Sequence, residues 1–364
     1  MGAQKLGYLP TLDGWRAIAV LMTVLQHEVL LQAGPLSTSW IHAHGRLGVD
    51  IFFGISGLLI CSRLMDEESA HGKISLKEFY IRRAFRIVPP MFLYLLVVGA
   101  LSLLGLLMVY RREWFAALLF YRNYSTLSEA PGQSTWFTLH YWSLSVEEHF
   151  YLLLPGLLLI ARGKWRLPAL GALIVAVDAW RIFRQQTHPY PFLANHTDTR
   201  LDALLFPALL AVVLANTQGR EFLLRVCRFW FIPAGALFAL LTIDRSPVLT
   251  PVAQSFLIPW MLLGTVLHPS GVFAKVLEFA PFRWIGRISY SLYLWQELFF
   301  VARFHPEYHS LGRLQDLPWK WLMLLLCASL SYYAVEKPLM RLGHRIAPPV
   351  TPGRPETAVA PVSV

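Results

Sequence analysis

The sequence has 364 residues, of which 55% are hydrophobic and only 15% charged, and its formal net charge is +10. With a mean hydropathy of +0.48 it is too apolar for a soluble protein of this size and indicates a polytopic membrane protein. In such a protein excess Lys and Arg first mark cytoplasmic loops, so the basic charge does not indicate nucleic-acid binding. The three cysteines lack CxxC spacing, which argues against a zinc site or a disulfide framework.

Ten apolar segments predict an all-α, polytopic membrane helical bundle with about ten transmembrane helices. They lie near residues 12–31, 47–64, 89–110, 144–161, 166–183, 200–216, 226–243, 251–268, 287–304 and 319–336. The run EWFAALLFY is too short to span and indicates a re-entrant or interfacial piece. We expect residues 1–345 to form one membrane domain, with its first segment retained rather than cleaved, and residues 346–364 to form a disordered C-terminal tail.

Basic residues in alternate loops give the expected orientation. If the N-terminus is cytoplasmic, the loops on that side hold 20 Lys and Arg residues and the opposite loops hold 11, while Arg16 lies inside the first segment. Positive charge accumulates in the cytoplasmic loops of membrane proteins. The sequence therefore predicts a multi-pass membrane protein with both termini in the cytoplasm.

The first segment, LDGWRAIAVLMTVLQHEVLL, carries Arg16 at one end and His27 near the other. Ionisable groups are costly inside a bilayer, so both side chains need an explanation. Eleven residues of helix rise about 16 Å and return to within roughly 20° of the same face. Arg16 and His27 are therefore predicted to line one groove at different depths, with His27 in the outer half.

Three further segments are predicted to bring ionisable side chains to the depth of His27. Each enters the membrane from the outer side and has its polar residues near that end, in GVDIFF, WSLSVEEHFY and TRLDALLF. These residues are Asp50, Glu147, Glu148, His149, Arg200 and Asp202. Each alone could be a snorkelling end residue, but their convergence predicts a polar site.

A basic cluster is predicted on the cytoplasmic side. The stretch ISLKEFYIRRAFRIVPP carries Arg82, Arg83 and Arg86, and Pro89 and Pro90 mark the turn into the membrane. Arg82 and Arg86 share a helical face, and planar guanidinium groups suit phosphate recognition. The same pattern also occurs in juxtamembrane segments that fix topology or contact anionic lipid. Basic residues inside and a histidine–carboxylate cluster outside suit acyl-coenzyme A, which has phosphates at one end and a thioester on a long arm.

Five sequence blocks, in order, carry a resemblance to a known family. They are LDGWRAIAVLMTVLQH, GVDIFFGISG, RRAFRIVP, WSLSVEEHFY and RLDAL, followed by ISYSLYLWQ and the EKP at 336–338. The sequence resembles the acyltransferase 3 family over roughly residues 8 to 345. It departs from the family pattern at Gln296, where histidine is expected, and at His149, where glutamine is commoner.

The resemblance implies a bacterial integral-membrane O-acyltransferase that moves an acyl group, usually acetyl, from acyl-CoA to a sugar at the outer surface of the inner membrane. The expected partners are thus acyl-CoA as co-substrate, a carbohydrate or glycoconjugate acceptor and membrane lipid, without a permanently bound cofactor, a metal or nucleic acid. The HxH of His42 and His44 lacks further ligands at suitable spacing. Some family members carry an additional soluble hydrolase-like domain after the membrane part. None follows here, so we expect the chain to act alone or with a separate partner.

Within this expectation His27 is the general base that deprotonates an acceptor hydroxyl, because neutral imidazole is a suitable base near pH 7. A carboxylate would hold its tautomer and stabilise the imidazolium. Asp50 is the expected partner, with Glu28, Glu147 and Glu148 as alternatives.

The remaining expected roles follow the same blocks. Arg16 is expected to orient the phosphates or the thioester of the donor, together with Arg82, Arg83 and Arg86. The expected substrate-binding residues are Trp142, Ser143, Arg200, Asp202, Tyr290 and Tyr293. Ser143 is not expected to be a nucleophile, since no adjacent base or elbow sequence accompanies it. The small residues Gly48, Gly54, Ser56 and Gly57 are expected to let helices approach closely rather than to bind an anion.

Two other classes of function are compatible with parts of the pattern. A secondary transporter or exporter of a small anionic or glycolipid substrate also has broken helices and buried charges, although no inverted repeat is apparent. A membrane sensor or scaffold would need no convergent layer of His, Asp and Glu. Within the enzyme interpretation, the acceptor and direct transfer versus an acyl-enzyme stay open.

Overall fold

The computed structural model describes residues 9–28, 44–125, 136–187, 195–243, 246, 248–269, 271–301 and 308–348. Within these ranges the chain is helical, with short connections and no β-strand, as the predicted all-α class requires. Of the predicted C-terminal tail, residues 349–364 lie outside the described ranges.

The α-helices are numbered here in chain order. They are α1 (Pro10–Gln26), α2 (Leu47–His71), α3 (Leu76–Leu103), α4 (Arg111–Leu118), α5 (Arg122–Ser125), α6 (Trp136–Leu139), α7 (Tyr141–Ile160), α8 (Arg166–Thr187), α9 (Thr197–Arg200), α10 (Asp202–Ala215), α11 (Thr217–Val226), α12 (Phe231–Ile243), α13 (Leu249–Leu267), α14 (Gly271–Leu277), α15 (Ala280–Arg287), α16 (Ser289–Phe299), α17 (Trp319–Leu330) and α18 (Lys337–Ile346). A π-helical segment, Ser331–Glu336, joins α17 to α18. Short 3-10 helices occur at Gly163–Trp165, Cys227–Phe229 and Gly312–Gln315.

Five helical stretches in the described chain are long and apolar enough to cross a membrane: α2, α3, Trp136–Ile160, α13 and Trp319–Ile346. A sixth would be the pair formed by α10 and Thr217–Phe229, which is bent by 117°. The predicted number of about ten is therefore not confirmed. Several apolar segments form shorter helices, since α1 has 17 residues, α12 has 13 and α16 has 11. At 1.5 Å per residue each is shorter than the ~30 Å hydrocarbon core.

Helix α2 packs against α1, α10 and α13. A Cβ atom at Gly48 would lie 2.3 Å from the Ala19 carbonyl oxygen of α1, and one at Gly57 would lie 2.2 Å from the Leu204 carbonyl oxygen of α10. Only glycine permits such direct backbone contact between helices. The close-packing interpretation of these two glycines is confirmed.

Helix α3 carries the basic residues and the two prolines on one continuous helix. Ser75 caps its N-terminus through its hydroxyl oxygen. Pro89 and Pro90 lie inside the helix, so the prediction of a turn at these residues is wrong. The Tyr290 hydroxyl of α16 donates to the Ile87 carbonyl of α3 at 3.1 Å, just before these prolines. The arginines therefore lie on the same helix as the apolar part of the span.

The run EWFAALLFY begins in α4, which has eight residues. The helix is held against α3 by Trp114, whose indole N–H donates to the Leu95 carbonyl at 2.9 Å. Eight residues rise only about 12 Å, so this piece cannot cross a bilayer, as its sequence predicts.

Candidate active site

A cavity of about 110 Å³ lies between α1, α2, α3, α7 and α16. Its apolar wall comes mainly from α2, and its polar wall comes from all five helices. The polar lining residues are Arg16, Ser56, Arg83, Arg86, Ser143, Glu147, Glu148, Tyr151, Ser289, Tyr290 and Tyr293. More than half of the sequence-predicted site residues therefore line one cavity.

The three arginines of α3 divide into two kinds. Arg82 pairs with Glu67 at 2.9 Å and Glu78 at 3.7 Å and does not line the cavity. Arg83 and Arg86 do line it, and neither forms an ion pair with any residue in the described part of the chain. The guanidinium of Arg83 instead stacks over the Tyr151 ring at 5.4 Å. Arg82 is thus already neutralised by the protein, whereas Arg83 and Arg86 present their charge to the cavity.

Arg16 also lines the cavity, from α1. Its guanidinium lies 3.2 Å from the Asp13 carboxylate one turn earlier on the same helix. Asp13 is buried, and its carbonyl oxygen would lie 1.8 Å from a Cβ atom at Gly286, so α1 and α15 are in backbone contact there. The position of Arg16 is therefore fixed by close helix packing and by its own carboxylate.

The opposite end of the cavity is formed by hydroxyl groups. Ser143 lies eight residues before Tyr151 on α7, about 12 Å along the helix axis and away from Arg83. Its Oγ lies 2.7 Å from the Tyr293 hydroxyl, and both hydroxyls donate to the His140 carbonyl, at 3.2 and 3.0 Å. Ser143 and Tyr293 close this end of the cavity, which we call the hydroxyl end.

His27 lies beyond the hydroxyl end and does not line the cavity. It follows the last residue of α1, and its Nε2 atom is 3.8 Å from Glu297 Oε1 of α16. Its ring packs edge-on against Trp136 at 5.2 Å, and the Trp136 indole donates to the Glu297 carbonyl at 3.1 Å. Tyr293 of the hydroxyl end lies one turn before Glu297 on α16, so the hydroxyl end lies between the cavity and the His27–Glu297 pair.

Helices α1 and α16 connect the cavity with the His27–Glu297 pair. On α1 the cavity residue Arg16 precedes His27, and on α16 the cavity residues Ser289 and Tyr293 precede Glu297. The spacing of four residues puts Ser289, Tyr293 and Glu297 on one face of α16, over about 12 Å of helix rise. Both helices thus run from the arginine-lined cavity to the His27–Glu297 pair.

Asp50, the expected partner of His27, makes no ion pair with it among the described residues. Its buried carboxylate forms an ion pair with Arg200. Glu28, an alternative, accepts from Lys320 at 2.6 Å and from the Trp321 indole at 3.2 Å. Glu297 was missed by sequence reasoning, although a carboxylate inside the apolar segment 287–304 is a signal of function.

The remaining predicted site residues lie outside the cavity and contact other parts of the protein. Asp202 pairs with Arg181, so it too is neutralised within the protein. The Trp142 ring lies under the guanidinium of Arg46 at 5.1 Å and does not line the cavity.

The sequence departs from the family pattern at Gln296 and His149. Gln296 is buried, and its amide has no hydrogen-bond partner among the described residues. His149 Nδ1 lies 2.6 Å from a threonine hydroxyl. Within the described ranges no group of His, Cys, Asp and Glu could hold a metal ion, and His42 lies outside them.

Proteins similar in sequence are found in Staphylococcus aureus. O-acetyltransferase OatA of strain NCTC 8325 and that of strain COL are each 30% identical to this chain over 372 residues, covering 93% of this chain. A third relative, SACOL0978 of strain COL, whose name also describes an O-acetyltransferase, is 29% identical over 369 residues. The chain spans 58% of the length of each of these relatives.

No solved structure matches the chain. The sequence profile of the acyltransferase 3 family, described as an acyltransferase domain, matches residues 9–335. This match includes every residue of the cavity and the His27–Glu297 pair. The chain belongs to the acyltransferase 3 family.

Proposed function

We propose that this protein is a membrane-embedded O-acyltransferase that moves an acyl group, in the simplest case acetyl, from acyl-CoA to a hydroxyl of a cell-surface carbohydrate or glycoconjugate. One observation carries the proposal. Arg83 and Arg86 line a cavity without an ion-pair partner in the described chain, and the cavity leads along α16 to an imidazole and a carboxylate. Unpaired guanidinium groups between apolar helices are costly unless a ligand supplies the negative charge.

The phosphates of acyl-CoA would supply that charge. Guanidinium groups bind phosphate oxygens through paired, charge-assisted hydrogen bonds. Arg83 and Arg86 would make these bonds, with Arg16 as a third cation whose charge is partly balanced by Asp13. Arg82 is left out of this role because Glu67 and Glu78 already hold it.

The arm of the donor would then extend through the cavity toward the hydroxyl end. Tyr293 and Glu297 lie four residues apart on one face of α16, about 6 Å along the helix axis. A thioester that passes Ser143 and Tyr293 would therefore come within reach of His27. The hydrogen bonds from Ser143 and Tyr293 to the His140 carbonyl must loosen for this passage.

We propose His27 as the base and Glu297 as the carboxylate that orients it. Glu297 lies 3.8 Å from Nε2, close enough to orient the ring electrostatically, and the neutral imidazole would accept the proton of the acceptor hydroxyl. The hydroxyl oxygen attacks the thioester carbonyl, the carbon–sulfur bond breaks, and the departing thiolate takes the proton back from the imidazolium. Glu297 stabilises the positive imidazolium between these steps.

The proposed orientation follows from the donor. Acyl-CoA is a cytoplasmic metabolite, so the arginine end of the cavity would face the cytoplasm and His27 would lie toward the outer surface of a bacterial inner membrane. The basic cluster Arg82, Arg83 and Arg86 in the first half of α3 supports the same orientation, because positive charge accumulates on the cytoplasmic side of membrane proteins. The names of the relatives support acetyl as the transferred group.

Mass spectrometry of surface glycans from cells with and without the gene tests the function directly. We expect one sugar to lose a defined acyl mass in the deletion strain and to regain it when the wild-type gene is returned. A His27→Ala gene expressed at the same membrane level should not restore that mass. Identical glycans in all strains would refute the proposal.

A secondary transporter is distinguished by the fate of the donor. Vesicles that contain the purified protein and radiolabelled acetyl-CoA would, for an acyltransferase, transfer label to a sugar acceptor with release of CoA. A transporter would move the label across the membrane without breaking the thioester.

A further inference from the structure

Two adjacent carboxylates of α7 line the cavity but differ in their hydrogen bonding. Both oxygens of Glu147 are occupied, because Ser56 donates to Oε1 and Tyr151 donates to Oε2, each at 3.1 Å. Glu148 Oε1 is shielded from solvent and accepts no hydrogen bond from the described residues. A buried carboxylate oxygen without a donor is costly, and native structures rarely contain one. The open acceptor points to a ligand that brings its own N–H or O–H group.

The location of Glu148 restricts what that ligand can be. On α7 it lies five residues after Ser143 and three residues before Tyr151, which correspond to about 7.5 Å and 4.5 Å of helix rise. Ser143 marks the hydroxyl end, and Tyr151 carries the stacked guanidinium of Arg83. A ligand that extends from the arginines to the hydroxyl end must therefore pass Glu148.

The charge of the cavity is compatible with a neutral donor. The guanidinium groups of Arg16, Arg83 and Arg86 line the same space as the carboxylates of Glu147 and Glu148, so the cations already outnumber the carboxylates and the ligand needs no positive charge of its own. A secondary amide brings an N–H group without positive charge, and its bond to a carboxylate is charge-assisted.

We propose that Glu148 accepts a hydrogen bond from an amide N–H of the pantetheine arm of acyl-CoA. The inference rests on the proposed donor and deepens it, because the arm has two secondary amides between its phosphate and its thioester. Glu148 is then a positioning residue that sets how far the thioester extends beyond the hydroxyl end. It does not touch the reacting atoms.

Equilibrium binding to the purified full-length chain in lipid nanodiscs tests this contact without an acceptor. The probes are coenzyme A, 4′-phosphopantetheine, which keeps the arm, and 3′-phosphoadenosine 5′-phosphate, which lacks it. Glu148→Met removes the acceptor and keeps an unbranched side chain, and Glu148→Gln keeps one acceptor oxygen. We expect Glu148→Met to weaken binding of both arm-containing probes about tenfold and Glu148→Gln about threefold.

Binding of 3′-phosphoadenosine 5′-phosphate should stay unchanged in both Glu148 variants, which also shows that they are folded. Arg86→Ala is the matched control, because it should weaken this phosphate-only probe. Equal weakening of all three probes by Glu148→Met, or none, would overturn the amide contact while leaving the donor proposal intact. A wild-type protein that binds no coenzyme A would overturn both.

Discussion

The cavity and the surroundings of His27 hold their charges in opposite ways. In the cavity, neither Arg83 nor Arg86 forms an ion pair with a described residue, although the Glu147 and Glu148 carboxylates line the same space. Around the far ends of α1 and α2, by contrast, Asp50 pairs with Arg200 and Glu28 pairs with Lys320. Ion-paired side chains connect neighbouring helices, whereas arginines without an ion pair are available to bind an anionic ligand.

The difference gives each kind of residue its own experimental signature. Removing one member of a buried ion pair leaves the other charge uncompensated and costs about 3–5 kcal/mol of stability. Removing an unpaired arginine costs little stability and instead weakens the binding of an anion. Loss of His27 should affect neither, since the proposed general base acts in the chemical step. Membrane level, donor affinity and turnover therefore separate the three roles.

The largest effect is expected for His27→Ala. General-base catalysis contributes about 10²–10⁴-fold, so turnover should fall by roughly 10³-fold. The affinity for coenzyme A should stay within about twofold of wild type, because His27 does not line the cavity. Single-turnover transfer from labelled acetyl-CoA, with binding measured on the same preparations, checks both values.

A His27→Ala protein that retains normal transfer would remove the imidazole from the mechanism. A loss of coenzyme A affinity as large as the loss of turnover would show that the two regions are not separate. His149→Ala is a suitable control, since this histidine binds a threonine hydroxyl on another face of α7 and lines no part of the cavity.

The second-largest effect is expected for Glu297→Gln. Together with Asp50→Asn, this variant tests which of the two carboxylates orients His27. The amide cannot stabilise the imidazolium, so we expect turnover to fall about 10²-fold with unchanged donor affinity. Asp50→Asn should act differently, because it leaves Arg200 buried without its carboxylate and lowers stability. Thermal unfolding and turnover per folded molecule distinguish the variants. A larger loss of turnover in Asp50→Asn would restore Asp50 as the partner.

Helix periodicity explains which expected residues share the cavity. The spacing between Arg16 and His27 predicted one groove for both, but only Arg16 lines the cavity, and His27 lies beyond its hydroxyl end. Arg83, Glu147 and Tyr293 were likewise predicted as site residues and line the same cavity. Such positions follow from local geometry, because a helix fixes the direction and rise between residues on its own chain.

Pairing between distant helices could not be derived in the same way. Asp50 and Arg200 are 150 residues apart, and His27 and Glu297 are 270 apart, so their partners depend on which helices become neighbours. Sequence spacing on α3 even grouped Arg82 with Arg86, although Glu67 of α2 neutralises Arg82. The span count was not confirmed because apolar length does not reveal where a helix breaks.

The arginines of α3 offer a matched test of paired against unpaired charge. We expect Arg86→Ala, and separately Arg83→Ala, to raise the KM for acyl-CoA about tenfold, since a hydrogen bond to a charged group contributes about 1.5–3 kcal/mol. Arg82→Ala should leave that KM within about twofold and lower the melting temperature instead, because buried Glu67 loses its cation. Steady-state kinetics and thermal unfolding of all three variants check the division. An increase in KM for Arg82→Ala equal to the others would mean that α3 presents all its arginines to the donor.

The smallest effect is expected at the hydroxyl end, where Tyr293→Phe removes one hydroxyl and keeps the ring. The Tyr293 hydroxyl interacts with Ser143 and donates to the His140 carbonyl, and a neutral hydrogen bond contributes about 0.5–1.5 kcal/mol. If these bonds must loosen before the thioester reaches His27, their loss lowers the cost of opening. Turnover should then rise by up to about fivefold, with unchanged affinity for coenzyme A. Ser143→Ala should change turnover in the same direction, since it removes the other hydrogen bond to the same carbonyl. A fall in turnover for Tyr293→Phe of 10²-fold or more would instead make the hydroxyl a participant in the chemistry, and the boundary between the cavity and His27 would then be part of the reacting site.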